Sequence, residues 1–441
     1  MNLKNLYCIA FLIMLNSCGN KNKTTPSETN KIEKPIVDVL SSNELLDLVQ
    51  KRTFNYFWDF ADPTSGMARE RTQTTNMLTI GGSGFGISCF PIAINRGWIS
   101  KAEGIQQLKN ILTFLEKADT YHGVFSHWYN QTGNTINFST TDNGGDIVET
   151  AFLIQGLLIN RQYFSENTTE ENDIRTRITA LWENVEWDWY TQGKKSITWH
   201  WSPDQGFVIN QPIAGWNEAL IVYVLAAASP THTIDKETYD NGWARKGEMI
   251  NNKSYYGYKL PLGEDLGGPL FLSQYSFIGL DPRGLEDQYA NYFDQNKAHS
   301  LINYEYCKAN PKEYKGYSEN CWGITASDDN NGYSAHSPTN DLGIITPTAA
   351  LSSFPYTPKE STKALEYFYY TMNDKLWGEY GFYDAFSEQY NWFSDGYLAI
   401  DQGPIVAMIE NYRTQLLWSL FMQDQQVKNG LQKLGFTSPN I

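Results

Sequence analysis

Two stretches of the sequence decide the fold: residues 146–158 read DIVETAFLIQGLL, and residues 217–229 read NEALIVYVLAAAS. In both stretches nearly every position is apolar, so a helix formed by either one is buried on most of its faces. Acidic residues stand at the start of each stretch, Asp146 and Glu149 in the first and Glu218 in the second. The sequence therefore predicts two helices enclosed by other structure, with carboxyl groups at their N-terminal ends.

Helical periodicity recurs along the rest of the chain, and the helices are of two kinds. The stretch 101–118 is amphipathic, and Ser100 with Glu103 predicts a capping box at its start. An inner ring of apolar helices inside an outer amphipathic ring accommodates both kinds, which predicts an all-α (α/α)6 barrel (toroid) with long loops forming a cleft at one end. The periodic segments are near 43–61, 84–97, 101–118, 146–164, 171–187, 216–229, 235–248, 283–309, 346–354, 358–373, 404–422 and 424–433.

Proline and glycine give two further local predictions. Pro404 is expected at the opening of the helix near 404–422, where its missing N–H costs nothing. The run GGSGFG at 81–86 precedes a helical pattern and lacks the strand–helix context of a nucleotide site, so we expect a flexible turn.

The composition excludes one class of partner. The 441 residues include 49 acids and 34 bases, a net charge of −15, with no basic stretch. Nucleic acid is therefore not an expected partner, because phosphate binding needs clustered Lys and Arg. The 14 Trp and 28 Tyr residues exceed what a core requires, and such rings often line sugar sites, although most of them are expected in the core.

The start of the chain resembles an export signal. Residues 1–18 combine Lys4 with an apolar run that is too short to span a membrane, and they end in Leu-Asn-Ser-Cys, similar to a lipoprotein box with Cys18 as the lipidated residue. Residues 19–40 are polar and are expected to be a flexible tether, followed by a single catalytic domain over 41–441. These features predict export and lipid anchoring in the bacterial cell envelope (periplasm or outer membrane), or a soluble periplasmic protein if Cys18 is not acylated.

The three remaining cysteines do not indicate a metal site. Cys89 is expected to be a small buried residue, and no Cys–His spacing suggests zinc. Cys307 and Cys321 are close in sequence, and an oxidising compartment would allow them to pair.

Asp142, Asp146 and Glu149 stand four and three residues apart at the mouth of the first apolar helix. One acid in a first turn is explained by the helix dipole, most easily Asp146, but that explanation does not extend to Glu149. Like charges at these spacings repel, and burial increases the repulsion, so at least one proton is expected to remain near neutrality. A protonated carboxyl beside an ionised one is the usual equipment for general acid–base catalysis.

The second apolar helix adds Glu218, which is either a dipole partner or part of a shared pocket. Asp401 is a third case, for which an N-cap role is the favoured reading. Two carboxyl groups across a cleft that binds sugar would hydrolyse a glycosidic bond. The residues expected to bind substrate around these acids are His127, Trp128, Trp199, His200, Trp201, Trp216, Asn217, His336, Asp401 and Gln402, with Trp392 a further subsite candidate. The WHW of 199–201 is equally compatible with a strand whose Trp rings pack inward.

Several stretches together resemble the bacterial glucoamylase-like proteins, and most of all glycoside hydrolase family 144, the β-1,2-glucanases. The resemblance runs in order from about residue 45 to 437. It is carried by DIVETAFLIQGLL, WHWSP, IAGWNEALIVYVLAAASPTH, QYSFIGLDPRG, WGITASD, PTAALSSFPYTP and AIDQGPIVAMIENYRT.

The resemblance implies an (α/α)6 barrel, inverting hydrolysis of β-1,2-glucan or sophoro-oligosaccharides, and no cofactor or metal. It also implies that the essential acids are Asp142, Asp146, Glu149 and Glu218. Among them we expect either Asp142 or Asp146 to position or activate water, and Glu149 and Glu218 to grip the substrate or serve as the acid. The chain is expected to be a monomer that contacts membrane only through its N-terminal lipid. Two alternatives stay open: a hydrolase of another glucan such as starch, and a non-catalytic lipoprotein that captures glycans. Endo or exo action is undecided.

Overall fold

This computed structural model describes residues 39–441, in which fourteen α-helices and fifteen short strands are joined by loops and by short 3-10 and π-helical segments. The helices are α1 Ser42–Trp58, α2 Ile80–Ser88, α3 Phe90–Asn95, α4 Lys101–Leu115, α5 Ile147–Tyr163, α6 Thr169–Glu183, α7 Leu220–Ala228, α8 Lys236–Thr238, α9 Tyr292–Ala309, α10 Pro347–Leu351, α11 Pro358–Glu366, α12 Ala399–Arg413, α13 Leu416–Phe421 and α14 Gln425–Leu434.

All strand pairs are antiparallel and most strands are two residues long. The strands are β1 Leu78–Thr79, β2 Thr120–Tyr121, β3 Val124–Phe125, β4 Trp128–Tyr129, β5 Thr135–Ile136, β6 Gly145–Asp146, β7 His200–Trp201, β8 Ser254–Tyr255, β9 Tyr258–Lys259, β10 Ala326–Asp329, β11 Gly332–Ala335, β12 Trp377–Gly378, β13 Gly381–Phe382, β14 Phe386–Ser387 and β15 Trp392–Phe393. The order β1-β4-β5 forms a three-stranded sheet, and the others pair as β2-β3, β6-β7, β8-β9, β10-β11, β12-β13 and β14-β15.

Inner and outer helices alternate along the chain. Helices α2, α5, α7, α10 and α12 are buried along most of their length, whereas α1, α4, α6, α9 and α11 bury one face. Helix α12 packs against both α1 and α2, so the last inner helix closes the ring on the first. The predicted (α/α)6 toroid is confirmed.

The sixth inner position is occupied by two short 3-10 turns, Leu270–Ser273 and Ser276–Ile278, which helical periodicity did not indicate. They bridge their neighbours through hydrogen bonds: the N–H of Ile221 in α7 donates to Ser276 Oγ at 3.0 Å, and Gln274 Nε2 donates to the carbonyl of Ala349 in α10 at 3.0 Å. The side chains of Ser276 and Gln274 thus link this segment to α7 and α10, where a regular helix would pack along its length.

The glycine run at 81–86 is not the flexible turn that we expected; it lies within α2 and is completely buried. Helix α2 packs directly along α5, and a Cβ on Gly84 would overlap the Phe152 carbonyl oxygen and lie 2.5 Å from Leu153 Cα. Glycine is therefore needed because the two backbones touch, and this packing outweighs its poor helix propensity.

Helix α12 corrects two other predictions. It begins at Ala399, so Pro404 lies inside the helix rather than at its opening, and Asp401 lies in the first turn rather than at the N-cap, which is Leu398. Helix α9 likewise begins later than expected, at Tyr292, because Asn291 caps it by accepting from the N–H groups of Phe293 and Asp294.

The predicted leader 1–18, with Cys18, lies outside the described residues, as does all of the tether except its last two positions. Residues Ser41–Ile441 form one compact unit. Within residues 39–441, no helix combines the length and apolarity needed to cross a membrane. Cys89 is buried as expected, and Cys307 and Cys321 are buried free thiols.

The contact between α2 and α5 predicts that the same substitution has different effects on stability at two glycines. We expect Gly84→Ala to lower the free energy of unfolding by about 2–3 kcal/mol, since the new methyl meets backbone that cannot move aside. Gly104→Ala in α4 is the control, because its methyl would meet side-chain atoms alone, Ile94 Cδ1 at 2.8 Å, Ile94 Cγ1 at 3.4 Å and Ile99 Cδ1 at 3.6 Å. That change should stay within about 1 kcal/mol of wild type. Urea denaturation measures both, and equal values would contradict backbone contact as the cause.

Candidate active site

A cavity of about 480 Å³ is formed by the first turns of the inner helices and the loops that lead into them. Five predicted residues lie on its wall, namely His127, Trp128, Glu149, Trp199 and Glu218. The wall is predominantly aromatic and apolar, with a few carboxyl groups, as expected of a site that orients a small ligand.

Asp146 is the hydrogen-bonding centre of the site although it does not line the cavity. It is the N-cap of α5, where its Oδ1 accepts from the N–H groups of Val148 and Glu149 at 3.0 Å each, as the helix-dipole explanation predicts. The same oxygen accepts from Trp199 Nε1 at 3.1 Å, and Oδ2 lies 3.1 Å from His127 Nδ1 and 3.5 Å from His200 Nε2. Both oxygens are therefore fully engaged by the protein.

These contacts keep Asp146 ionised. Burial would raise the pKa of Asp146, but the hydrogen bonds and positive charges of His127 and His200 outweigh it and hold the pKa below its usual range. For His127, burial has the opposite effect and would lower the pKa, because it disfavours the cation. The carboxylates of Glu149, Asp146 and Asp142 outweigh burial and raise the pKa of His127 to about 9. His127 is therefore a cation at neutral pH, between Asp146 and the Glu149 carboxyl 4.0 Å away.

Glu149 is held by the neighbouring helix. Its Oε2 accepts from the N–H of Gly81, the second residue of α2, at 2.7 Å. This N–H has no partner within its own helix, and Thr79 provides no side-chain cap, so Glu149 caps α2 from outside. A Cβ on Gly81 would lie 2.5 Å from that oxygen. Burial and the charge of Asp146 raise the pKa of Glu149, against the lowering effect of His127 and Gly81.

Asp142 lies behind the wall with His200, whose Nε2 is 3.3 Å from Asp142 Oδ2. Burial raises the pKa of Asp142, while the imidazole of His200 opposes the increase. Strand β7 positions His200, because it pairs with β6 so that His200 lies opposite Asp146.

Glu218 lies in the turn before α7, which begins at Leu220 rather than near residue 216 as expected. Asn217 holds this turn, since its Oδ1 accepts from the N–H of Ala219 at 2.9 Å, and Ser276 Oγ donates to the Glu218 carbonyl. Burial raises the pKa of the Glu218 carboxyl to about 7, and the charges of Asp146 and Glu149 add to the increase. The expectation of a retained proton concerned Asp142, Asp146 and Glu149 rather than Glu218, and it stays a prediction.

Several predicted substrate-binding residues lie elsewhere. Trp201 packs against Tyr121, His122 and Trp189, so only the first two residues of WHW face the acids. Trp216 is buried against Trp243, Phe277 and Tyr292, because the turn at Glu218 directs it into the core.

The remaining polar candidates are also away from the cavity wall. His336 is fully buried, with Asp329 3.6 Å away. Gln402 is buried in α12 and donates to the carbonyl of Tyr380. Asp401 lies directly behind the wall, where Tyr275 OH reaches its Oδ1 at 3.4 Å, and burial raises its pKa.

Other wall residues were missed by the sequence reasoning, because they come from loops far apart in the chain. Phe138 carried a usable signal: it stands four residues before Asp142, and its ring packs 4.8 Å from that of Trp128. The missed residues include Glu70, Arg71, Phe138, Phe271, Tyr275 and Tyr333.

Within residues 39–441, His127, Asp142 and Asp146 form a group that could hold a metal ion, with ligand atoms that lie within 4.8 Å of one another. Asp146 already accepts hydrogen bonds at both oxygens, and His127 uses Nδ1 to reach it. Together with His200, these three residues form an ion-paired network in which His127 and His200 carry the positive charge.

Comparison with known proteins gives consistent matches. The Glycoamylase family model ("Putative glucoamylase") matches residues 210–425. A solved "putative glucoamylase" from Bacteroides uniformis ATCC 8492 is 54% identical, with a TM-score of 0.90, over 92% of this chain and all of that one. The endo-β-1,2-glucanase from Chitinophaga pinensis, solved as a sophorotriose and glucose complex, is 51% identical with a TM-score of 0.90, over 91% of this chain and all of that one.

A curated relative extends the comparison. The exo β-1,2-glucooligosaccharide sophorohydrolase (non-reducing end) of Parabacteroides distasonis is 46% identical over 419 residues. The match covers 90% of this chain, which spans 58% of the length of that relative.

The raised pKa of His127 predicts a pH-dependent stability. Because the pKa is about 9 in the folded protein against an ordinary 6.5, the stabilising contribution is complete below pH 6.5 and is lost as the pH rises through 9. We expect the free energy of unfolding to fall by ~3 kcal/mol across this window, and His127→Gln to abolish that part of the decline. Urea titrations at a series of pH values measure it.

The control is His232→Gln at the surface, where His232 pairs with Asp188 at 3.1 Å, and this variant should follow the wild-type curve. If His127→Gln kept the full decline, the charge assigned to His127 would be wrong.

Proposed function

We propose, from the premise that the chain belongs to the bacterial glucoamylase-like proteins of glycoside hydrolase family 144, that it hydrolyses β-1,2-linked glucan or its sophoro-oligosaccharides. The observation that carries the proposal is the presence of Glu149 and Glu218 on the wall of one aromatic cavity, both with a raised pKa. Paired carboxyl groups on an aromatic wall suit acid–base cleavage between sugars. The names of the relatives supply the linkage.

Glu218 is the general acid in this proposal. With a pKa of about 7 it retains its proton in a useful fraction of molecules at neutral pH, and it can donate that proton to the glycosidic oxygen as the bond to the anomeric carbon breaks. A water oxygen bonds to the anomeric carbon, and its proton passes to a carboxylate on the cavity wall.

Glu149 is that proton acceptor. It is the other predicted acid on the wall, and the Gly81 N–H and the His127 cation favour its ionised form. Asp146 and Asp142 act as positioning residues through His127 and His200, because their oxygens contact those imidazoles rather than the cavity. This assignment differs from the sequence-based expectation, in which Asp142 or Asp146 positions or activates water and Glu149 grips the substrate or serves as the acid.

A product analysis tests the function. We expect the purified protein to cleave linear β-1,2-glucan and sophoro-oligosaccharides and to leave laminarin and soluble starch intact, as measured by chromatography of products over time. Mixed oligomers would indicate endo action, and early release of sophorose alone would indicate exo action. Starch cleavage would refute the linkage while leaving the acid–base argument standing, and binding without any cleavage would refute hydrolysis.

Glu218→Gln is the internal control of that assay. Loss of a general acid should lower kcat by about 10²- to 10⁴-fold. The wild-type kcat/KM should decline above about pH 7, because Glu218 loses its proton there. The Glu218→Gln variant should not show this decline. The exposed Glu237→Gln should behave as wild type. Full turnover by Glu218→Gln would refute its role.

We also propose that the chain is exported and anchored through Cys18, on the strength of the leader pattern in residues 1–18. Acyl chains would place the wild-type protein in the detergent phase of a Triton X-114 partition. Cys18→Ala should move it to the aqueous phase, whereas Cys8→Ala, within the leader, should leave it in the detergent phase. Aqueous partitioning of the wild type would contradict acylation.

A further inference from the structure

The side chain of His336 is fully buried, yet neither nitrogen of its ring has a hydrogen-bond partner among residues 39–441. The buried His299 is held differently, with Ser273 Oγ 2.7 Å from its Nδ1 and the Gly268 carbonyl 3.1 Å from its Nε2. A buried polar group without a partner is costly, and it is costlier when charged. The surroundings of His336 therefore tolerate a neutral ring but offer no acceptor within hydrogen-bond distance for the two N–H groups of a cation.

The charged groups that act on His336 are two carboxylates. Asp329, at the end of β10, has its Oδ2 3.6 Å from Nε2 of the ring, which is beyond hydrogen-bond distance, and its Oδ1 accepts from the N–H of Asn331. Asp341, in the loop after β11, already accepts hydrogen bonds from two tyrosine hydroxyls at 2.8 and 3.0 Å. Burial lowers the pKa of His336, and the charges of Asp329 and Asp341 oppose this only in part, so the ring is neutral at neutral pH.

His336 lies at the end of a hairpin that forms part of the active-site wall. It directly follows β11, and its N–H donates to the carbonyl of Ser334 at 3.0 Å, so the chain turns immediately after the hairpin. Ala326, Tyr333 and Ala335 of the hairpin line the cavity. Each strand of the hairpin has four residues, so its own ladder is short and the contacts at its end help to hold it at the cavity.

We propose that His336 is a positioning residue for this wall, and that a proton on its ring releases hairpin β10–β11 from its place at the cavity. The cation needs acceptors for two N–H groups, and it obtains them when the ring reaches water. Because the pKa of His336 is lowered in the buried arrangement, each proton bound below the ordinary value of 6.5 favours the released one. Release moves Tyr333 away from the cavity and weakens substrate binding in acid. This last step rests on the proposed function, whereas the release itself does not.

Hydrogen exchange of the substrate-free protein, followed by mass spectrometry on peptides that cover residues 326–335, measures the release. After correction for the intrinsic pH dependence of exchange, we expect the opening constant of the hairpin to increase by up to about tenfold for each pH unit below the ordinary pKa, until the lowered pKa of His336 is reached. His336→Gln cannot take up a proton and should abolish the increase.

Two controls accompany this experiment. Hairpin β8–β9 contains no histidine, so its exchange should not show the increase. His122→Gln should behave as wild type, because the side chain of His122 is 35% exposed and pairs with Glu186 at 2.9 Å.

Asp329→Asn distinguishes release from the opposite response. The amide keeps an acceptor for the N–H of Asn331 but removes a charge that favours protonated His336, so the pKa of His336 should fall further and the opening should continue to increase to lower pH. If acid instead slowed the corrected exchange of the wild-type hairpin, and Asp329→Asn abolished that protection, protonation would close an ion pair and the inference would be wrong. Exchange that did not depend on His336 would also overturn it.

The effect on binding is measured by kinetics. The ratio of KM at about pH 5 to KM at about pH 7 for β-1,2-glucan should be larger in the wild type than in His336→Gln, with the corresponding kcat ratios equal, because the other acids titrate alike in both proteins. Equal KM ratios would refute the effect on the wall. A wild type that cleaves no glucan at any pH would refute the proposed function, while the exchange experiment would still decide whether the hairpin is released.

Discussion

The buried carboxylate of Asp146 is the interaction on which the rest of the site depends. A buried charge is tolerated only when donors surround it, and here they come from three parts of the chain: the first turn of α5, His127 beside β4, and Trp199 with His200 at β7. The loops at this end of the toroid are long and mostly irregular, so few backbone ladders could fix them. The ionised Asp146 at the N-terminus of α5 therefore aligns these loops through its hydrogen bonds.

The same carboxylate sets the protonation of its neighbours. Because Asp146 keeps its charge, it favours the cationic form of His127 and disfavours a second nearby anion. Glu149 and Glu218 experience that field together with burial, and their pKa values rise in consequence. Burial and the charge of Asp146 thus together raise the pKa of Glu149 and Glu218, two of the carboxyl groups that line the cavity. The roles that we propose for the acids differ because the acids differ in the number of protein donors that reach each one.

Sequence reasoning predicted the toroid, and it placed Asp142, Asp146, Glu149 and Glu218 at the starts of two apolar helices, because both features are visible as local patterns. Apolar helices with acids at their mouths are visible in DIVETAFLIQGLL and NEALIVYVLAAAS, and ring closure follows from the alternation of buried and amphipathic helices. It could not place Trp216 or His336, since the direction of a side chain depends on a turn or a loop set by distant partners. The inner segment 270–278 escaped for a similar reason: its turns are stabilised by side-chain bonds to α7 and α10 rather than by its own periodicity.

The glycine run of α2 serves both the packing of the fold and the geometry of the site. Taken alone, GGSGFG suggests flexibility, because glycine is a poor helix former. In the structure Gly84 lets α2 lie against the backbone of α5, and that approach brings the N–H of Gly81 within 2.7 Å of Glu149. A larger residue at either position would separate the helices or displace the carboxyl group. Gly81 and Gly84 weaken α2 as an isolated helix, but they also allow α2 to hold the Glu149 carboxyl group at the cavity. This role depends on the packing of α2 against α5.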